Sequence, residues 1–181
     1  MADELIDILN IKGEFTGEIQ LKSKAHESGL WHASAQIWIV TKEGKVLLQK
    51  RATDKDTYPN LWDISVAGHL SAGDTPVLAA LREIEEEIGL ILKEKDLIFL
   101  KKIRSRKQPN IHVIDNEFNF LFLVRHPIVI SELILQDTEV AAVKLFSVNE
   151  LELDLATNYQ VYVPHGMEYY SYIINAIRKL L

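Results

Sequence analysis

Apolar and polar residues alternate with a period of two along several stretches of the chain, which is the pattern of half-buried strands. The alternation is weak around Gly13 and Gly17, where a short hairpin is predicted, and strong on either side of the turn Lys42-Glu43-Gly44. The predicted strands cover residues 5–21 as the hairpin, then 33–41, 45–49, 64–67, 97–104, 116–125 and 140–146.

Three other stretches follow the 3.6-residue period of an amphipathic helix. The first covers roughly residues 75–88, because Asp74-Thr75-Pro76 is a helix start signal and Gly89 is a stop signal. A short helix is predicted near 148–153 and a longer one over 165–181. The apolar stripe of the longer helix is predicted to lie in the core rather than on a partner surface, and it consists of Tyr169, Tyr172, Ile173, Ala176, Ile177 and Leu180.

The composition fits one globular domain over residues 1–181, with an N-terminal arm at about 1–25. Hydrophobic residues make up 48% of the chain and charged residues 25%, and no repeat or low-complexity linker divides it. The net charge of −6, without a basic stripe, argues against a nucleic-acid polymer as a partner. The absence of cysteine excludes disulfides and a thiol nucleophile. Without a signal core or a membrane-length apolar run, a cytoplasmic protein with no membrane partner is expected.

The segment 68–90 carries most of the candidate chemistry. Its helix places Glu83, Glu86 and Glu87 within one turn, and these are predicted to lie opposite an apolar stripe. Like charges at this spacing destabilise a free helix, so the arrangement favours a bound cation, although a solvated acidic face is the alternative. Carboxylate oxygens suit Mg²⁺, or alternatively Mn²⁺, which also take up substrate phosphates. The apolar stripe comprises Val77, Leu78, Leu81, Ile84 and Ile88.

The same segment resembles the Nudix box, whose pattern is G-x5-E-x7-R-E-U-x-E-E-x-G-U with U a bulky aliphatic residue. The residues that fall on the pattern are Gly68, Arg82, Glu83, Ile84, Glu86, Glu87, Gly89 and Leu90. Asp74 stands where the family has a glutamate that partners the box arginine, so it is expected to reach Arg82 or to cap the helix. The resemblance implies an α+β Nudix fold, with a mixed β-sheet in an α/β/α sandwich. It also implies hydrolysis of a phosphoanhydride bond in a nucleoside diphosphate derivative or a related small-molecule diphosphate.

Outside the box, residues from about 22 to 117 resemble the type I isopentenyl diphosphate isomerases, which share the Nudix fold. The resemblance implies that a diphosphate is bound by Lys22, Arg51, Lys55 and Arg82. It also implies a second metal site formed by His26, His32, His69, Asp115 and Glu117. The alternatives are an ordinary cationic surface for the first group and structural roles for the histidines of the second.

Ala67 occupies the position of the isomerase's catalytic cysteine. A methyl group neither donates nor accepts the allylic proton, so isomerisation is not expected. The favoured interpretation is a magnesium-dependent Nudix pyrophosphohydrolase in which Glu83, Glu86 and Glu117 act in catalysis, with Glu86 or Glu117 as the general base. The open alternatives are an isomerase-type enzyme and a non-catalytic module that binds a nucleotide or a protein. A homodimer is one of the assembly states open to it.

Overall fold

The computed structural model describes residues 3–181 of the chain. The strands are β1 (Leu5–Leu9), β2 (Phe15–Leu21), β3 (Trp31–Val40), β4 (Lys45–Arg51), β5 (Trp62–Asp63), β6 (Val66–His69), β7 (Leu97–Asn110), β8 (Val113–Arg125) and β9 (Val140–Ser147). The helices are α1 (Lys22–Ser28), α2 (Pro76–Ile88), α3 (Val148–Thr157) and α4 (Met167–Leu180).

Strand β3 is the centre of the sheet because four other strands pair with it. Strand β8 runs parallel to β3, from Trp31 opposite Asn116 to Val40 opposite Arg125, whereas β1, β4 and β6 run antiparallel to it. Strand β4 also pairs with β5 and β9, β8 forms a long antiparallel hairpin with β7, and β1 pairs with β2. The sheet is therefore mixed, as the sequence predicts.

Alternate residues of β3 face opposite sides of the sheet, and each side carries a hydrophobic core. On one side Trp38 packs in a cluster with Leu151 of α3 and Ile173 of α4. On the other side Ile37 packs in a cluster with Ile84 of α2. Helices thus cover both faces, which confirms the predicted α/β/α sandwich. No helix within residues 3–181 is both long and apolar enough to cross a membrane.

The largest differences from the sequence-based prediction are helix α1 and the hairpin of β7 and β8. Helix α1 was not predicted, because it has only seven residues and Ala25 is its one buried residue, too few to give a periodic pattern. The hairpin of β7 and β8 is longer than predicted, with β7 continuing to Asn110 and β8 beginning at Val113. Its extension is rich in polar residues, so the hydrophobic pattern did not reveal it.

The buried face of α2 also differs from the prediction, although the helix begins and ends where the sequence indicates. Glu83 and Glu87 are buried beside Ile84, whereas Leu78 is 56% exposed. The expectation that the three glutamates lie opposite the apolar stripe is therefore wrong for Glu83 and Glu87. They face the sheet because polar and small residues of β4 and β6 receive them there. This arrangement places the candidate site between α2 and the sheet.

Candidate active site

The position of α2 follows from its ends and from one glycine of β6. Pro76 opens the helix, the Thr75 side chain accepts a hydrogen bond from the Leu78 N–H at 3.3 Å, and Gly89 closes it with φ of 69°. At Gly68, an added Cβ would lie 1.9 Å from Cδ of Glu83. Only glycine leaves room there, so Gly68 allows the carboxylate of Glu83 to lie directly against the sheet.

Arg82 connects the carboxylates of the box. Its Nη1 lies 2.7 Å from Oε1 of Glu83 and 3.2 Å from Oε2 of Glu86, and its Nη2 lies 3.3 Å from Oδ2 of Asp74. Nη2 also donates to the His69 carbonyl at 3.0 Å. The shorter Asp74 therefore reaches the arginine, as expected. The contacts of Arg82 lie within the protein, so its direct contact with a diphosphate stays a prediction.

Burial raises the pKa of two of the box glutamates. Burial raises the pKa of Glu83 to about 7, although Arg82 opposes the shift. Burial, followed by repulsion from Glu83 and Glu139, raises the pKa of Glu87 well above its ordinary value, although Gln49 donates to its Oε2 at 3.0 Å. Buried carboxylates are costly to ionise without a compensating charge. The oxygen donors of Glu83, Glu86 and Glu87 therefore fit a hard divalent cation such as Mg²⁺.

The five residues predicted as a second metal site, called the histidine cluster below, lie together at the adjoining ends of α1, β3, β6 and β8. Nε2 of His26 lies 3.3 Å from Nε2 of both His32 and His69. Oε1 of Glu117 lies 3.3 Å from Nε2 of His69, and Oδ1 of Asp115 lies 3.7 Å from Nε2 of His26. Three imidazole nitrogens and two carboxylates thus surround one position.

The protonation of this cluster also suits a cation. Nδ1 of His32 lies 2.9 Å from the Leu30 carbonyl, and donation there leaves the lone pair of Nε2 directed at the cluster. Burial and then repulsion from His69 and His32 lower the pKa of His26 to about 3, which keeps that ring neutral. Burial would raise the pKa of Glu117, but hydrogen bonds with His32 and His69 hold it well below the ordinary value. Burial would lower the pKa of His32, but its hydrogen bond with Glu117 outweighs this and raises it. The neutral ring of His26 and the ionised carboxylate of Glu117 are donors of the kind that metals bind.

The other cations predicted to bind a diphosphate lie near the box carboxylates and the histidine cluster. Arg51 is partly buried, with Nη1 3.3 Å from Oδ2 of Asp63 and Nε donating to the Thr57 carbonyl at 3.1 Å. Lys55 forms an ion pair with Glu139, which is one of the charges that repel Glu87. Lys22 opens α1, and its charge contributes to the lowered pKa of His26. Arg51 and Lys55 therefore have protein partners as well as a place beside the carboxylates.

Sequence reasoning missed three residues beside the predicted site. Glu139 lies near Glu87 and directly contacts Lys55. Asp63 and His165 form a buried pair, with Nε2 of His165 2.7 Å from Oδ1 of Asp63. These two residues are 102 positions apart, so no local spacing could have indicated their contact.

A profile of the NUDIX domain matches residues 30–165, which is more than half of the chain. The chain belongs to the Nudix family. Nudix hydrolase 3 of Arabidopsis thaliana is 39% identical over 187 aligned positions, which cover 99% of this chain and 24% of that protein. The chain thus spans about a quarter of the length of this Nudix relative. An isopentenyl-diphosphate Delta-isomerase of Serratia proteamaculans is 34% identical over 87 positions, 48% of each chain.

Solved structures share the Nudix fold at low sequence identity. A Deinococcus radiodurans protein superposes with a TM-score of 0.68 at 17% identity, covering 97% of this chain and 98% of its own. The MutT protein of Methanosarcina mazei gives a TM-score of 0.60 at 14% identity, covering 82% of this chain and 94% of its own. These likenesses concern the fold alone.

Proposed function

We propose that this Nudix protein hydrolyses a phosphoanhydride bond in a small-molecule diphosphate, such as a nucleoside diphosphate derivative, with Mg²⁺ or Mn²⁺. The observation that carries the proposal is the pair of buried carboxylates, Glu83 and Glu87, enclosed between α2 and the sheet with Glu86 beside them. A merely solvated acidic face would not bury two of its three charges. Burying them is costly unless a cation compensates their charge, and a metal-dependent hydrolase requires such a cation.

The protein's own residues would supply positioning and charge. A divalent cation on Glu83, Glu86 and Glu87 would neutralise the diphosphate and lower the pKa of a bound water. Arg82 holds Glu83 and Glu86 in place through its Nη1. Glu86, whose side chain is 51% exposed, and Glu117 are the two candidates for the general base.

A screen of phosphoanhydride substrates tests this function. Nucleotide sugars, dinucleotides, nucleoside diphosphates and triphosphates, and prenyl diphosphates would be incubated with the protein in Mg²⁺ and in excess chelator. We expect release of phosphorylated products from at least one class, only with the metal. A protein that binds these compounds but cleaves none would instead be the non-catalytic module.

We also propose that the histidine cluster binds a second divalent metal ion. Replacing His26 with Asn removes one imidazole from the converging set, so we expect the affinity for Mn²⁺ or Zn²⁺ at this site to fall by about tenfold or more. His112 is exposed and lies outside the cluster, so His112→Asn is the matched control. Calorimetric titration measures both. Equal metal binding by His26→Asn and the unmodified protein would contradict this site.

The histidine cluster and the isomerase relative favour an isomerase-type enzyme as the second candidate. Ala67 argues against it, because β6 presents a methyl group opposite Gln36 of β3 where a proton-transferring thiol would be required. We expect no exchange of the allylic protons of isopentenyl diphosphate for deuterium, even with Mg²⁺ and Mn²⁺ both present. Proton NMR measures this directly, and exchange that depends on the protein would favour the isomerase.

A further inference from the structure

A chain of four polar side chains links strand β7 to the predicted diphosphate-binding arginine. Nζ of Lys107 lies 3.2 Å from Nδ1 of His165. Nε2 of His165 lies 2.7 Å from Oδ1 of Asp63, and the other oxygen of Asp63 lies 3.3 Å from Nη1 of Arg51. His165 and Asp63 are almost fully buried, with side chains 8% and 4% exposed. The chain therefore has a fixed geometry rather than the mobility of surface residues.

The order of these contacts fixes how His165 is protonated. An ammonium group has only donors, so Nδ1 of His165 must accept the hydrogen bond from Lys107. Its Nε2 then carries the proton and donates to Asp63. The ring is also stacked on Tyr169, with centroids 4.8 Å apart, which holds its orientation. His165 is accordingly a neutral acceptor, oriented by Asp63 and directed at Lys107.

The hydrogen-bond partner of Lys107 is a neutral ring rather than a carboxylate. Within residues 3–181 Lys107 forms no ion pair, and the oxygens of Asp63 are directed at His165 and Arg51 instead. A lysine that serves only to stabilise a fold would gain more from a carboxylate than from a neutral ring. Two of its three N–H donors stay available to a ligand.

The position of Lys107 brings its charge to the candidate active site. Lys107 lies directly opposite Asp115 in the β7–β8 pairing, and Asp115 belongs to the histidine cluster. Its charge is among those that moderate the raised pKa of Asp115, which burial and then Glu117 set at about 6. An anionic group bound beside Glu117 would therefore lie near the ammonium group of Lys107 on strand β7.

We propose that Lys107 binds a phosphate oxygen of the substrate and that the His165–Asp63 pair positions it. This inference rests on the proposed function, because it assigns a further contact to the same diphosphate. It adds a substrate-binding residue from the long hairpin to those predicted from the sequence. His165 acts through Lys107, and Asp63 acts through His165 and through Arg51, so both are positioning residues.

The test is calorimetric binding of methylenediphosphonate, a diphosphate analogue that cannot be hydrolysed at its bridge, in the presence of Mg²⁺. Lys107→Met keeps the apolar stem and removes the charge, so we expect about tenfold weaker binding, the usual size for loss of a charge-assisted hydrogen bond. Lys107→Arg should recover much of the affinity. The matched control is Arg106→Met, because Arg106 is the exposed neighbour on the same strand; its binding should equal that of the unmodified protein.

The positioning role is tested by a double-mutant cycle. His165→Phe keeps a ring for packing on Tyr169 and removes both nitrogens, so we expect weaker binding, and adding Lys107→Met should then cost little more. If His165→Phe does not fold, His165→Leu, which also has no hydrogen-bonding group, takes its place. The positioning role would be overturned if the His165 variant binds the analogue as tightly as the unmodified protein while Lys107→Met binds it more weakly.

The two proposals fail in distinguishable ways. If the Lys107→Met protein binds the analogue as tightly as the unmodified protein, Lys107 does not bind a phosphate oxygen, whatever the protein hydrolyses. Failure of the unmodified protein to bind the analogue at all would overturn the assignment of Lys107 as well. Tight, Lys107-dependent binding without turnover of any substrate would refute the hydrolase instead and leave the Lys107 contact established.

Discussion

Glu87→Gln is expected to lower kcat for diphosphate hydrolysis by on the order of a hundredfold or more. The change keeps the shape of a fully enclosed side chain and its contact with Gln49, but removes one charged oxygen from the candidate metal site. Losing such a contact costs several kcal/mol of transition-state stabilisation, and each 1.4 kcal/mol corresponds to about a factor of ten. Steady-state kinetics at saturating Mg²⁺ measures the effect.

The matched control is Glu85→Gln, two positions earlier on the same helix. Glu85 is exposed and makes no contact with Arg82 or the other box carboxylates. Its replacement should leave kcat and thermal stability nearly unchanged. Glu87→Gln should also unfold at no lower temperature than the unmodified protein, because a neutral amide is easier to bury than a carboxylate. Undiminished turnover by folded Glu87→Gln would contradict the assignment of the metal site.

Gly68→Ala is expected to be the most damaging single methyl addition in the site. The new Cβ would lie 1.9 Å from Cδ and 2.2 Å from Oε1 of Glu83, so the carboxylate or the helix must move. Overpacking of this kind costs about 1–3 kcal/mol of stability. Displacing Glu83 also breaks its 2.7 Å contact with Arg82, so we expect hydrolysis to fall by roughly a hundredfold. Denaturant unfolding and kcat/KM measure the two losses.

Gly73→Ala separates this effect from a general cost of replacing glycine. Gly73 lies in the loop between β6 and α2, with φ of +85°, and has nothing within 4 Å of an added Cβ. Its substitution should strain the backbone by about 1 kcal/mol while leaving Glu83 in place. Activity should therefore persist in Gly73→Ala. A fully active Gly68→Ala protein would show that Glu83 needs no contact with the sheet.

Much of the candidate site could be predicted because its signals are local in the sequence. The box helix has its start and stop residues adjacent to it, and the expected contact between Asp74 and Arg82 spans eight positions. The five residues of the histidine cluster were predicted from the resemblance, and the structure brings their donor atoms together. Their role as metal ligands stays a prediction.

The features that escaped prediction depend on tertiary contacts. The burial of Glu83 and Glu87 requires a polar or small partner on the sheet, which helical periodicity alone does not reveal. The contact of Asp63 with His165 joins β5 to the segment before α4. A hydrophobic pattern indicates which face of a helix or strand is buried in the core. These polar contacts form only between elements that are distant in the sequence, so no local pattern indicates them.

The most direct test of the account is hydrolysis in ¹⁸O-labelled water, followed by ³¹P NMR of the products from a panel of nucleotide sugars, dinucleotides and nucleoside polyphosphates. The account predicts that one class is cleaved between phosphorus atoms, with ¹⁸O in one phosphorylated product. Turnover should stop in excess chelator and return with added Mg²⁺. Cleavage at an unchanged rate in the chelator, or no cleavage of any phosphoanhydride in the panel, would contradict the metal-dependent hydrolase.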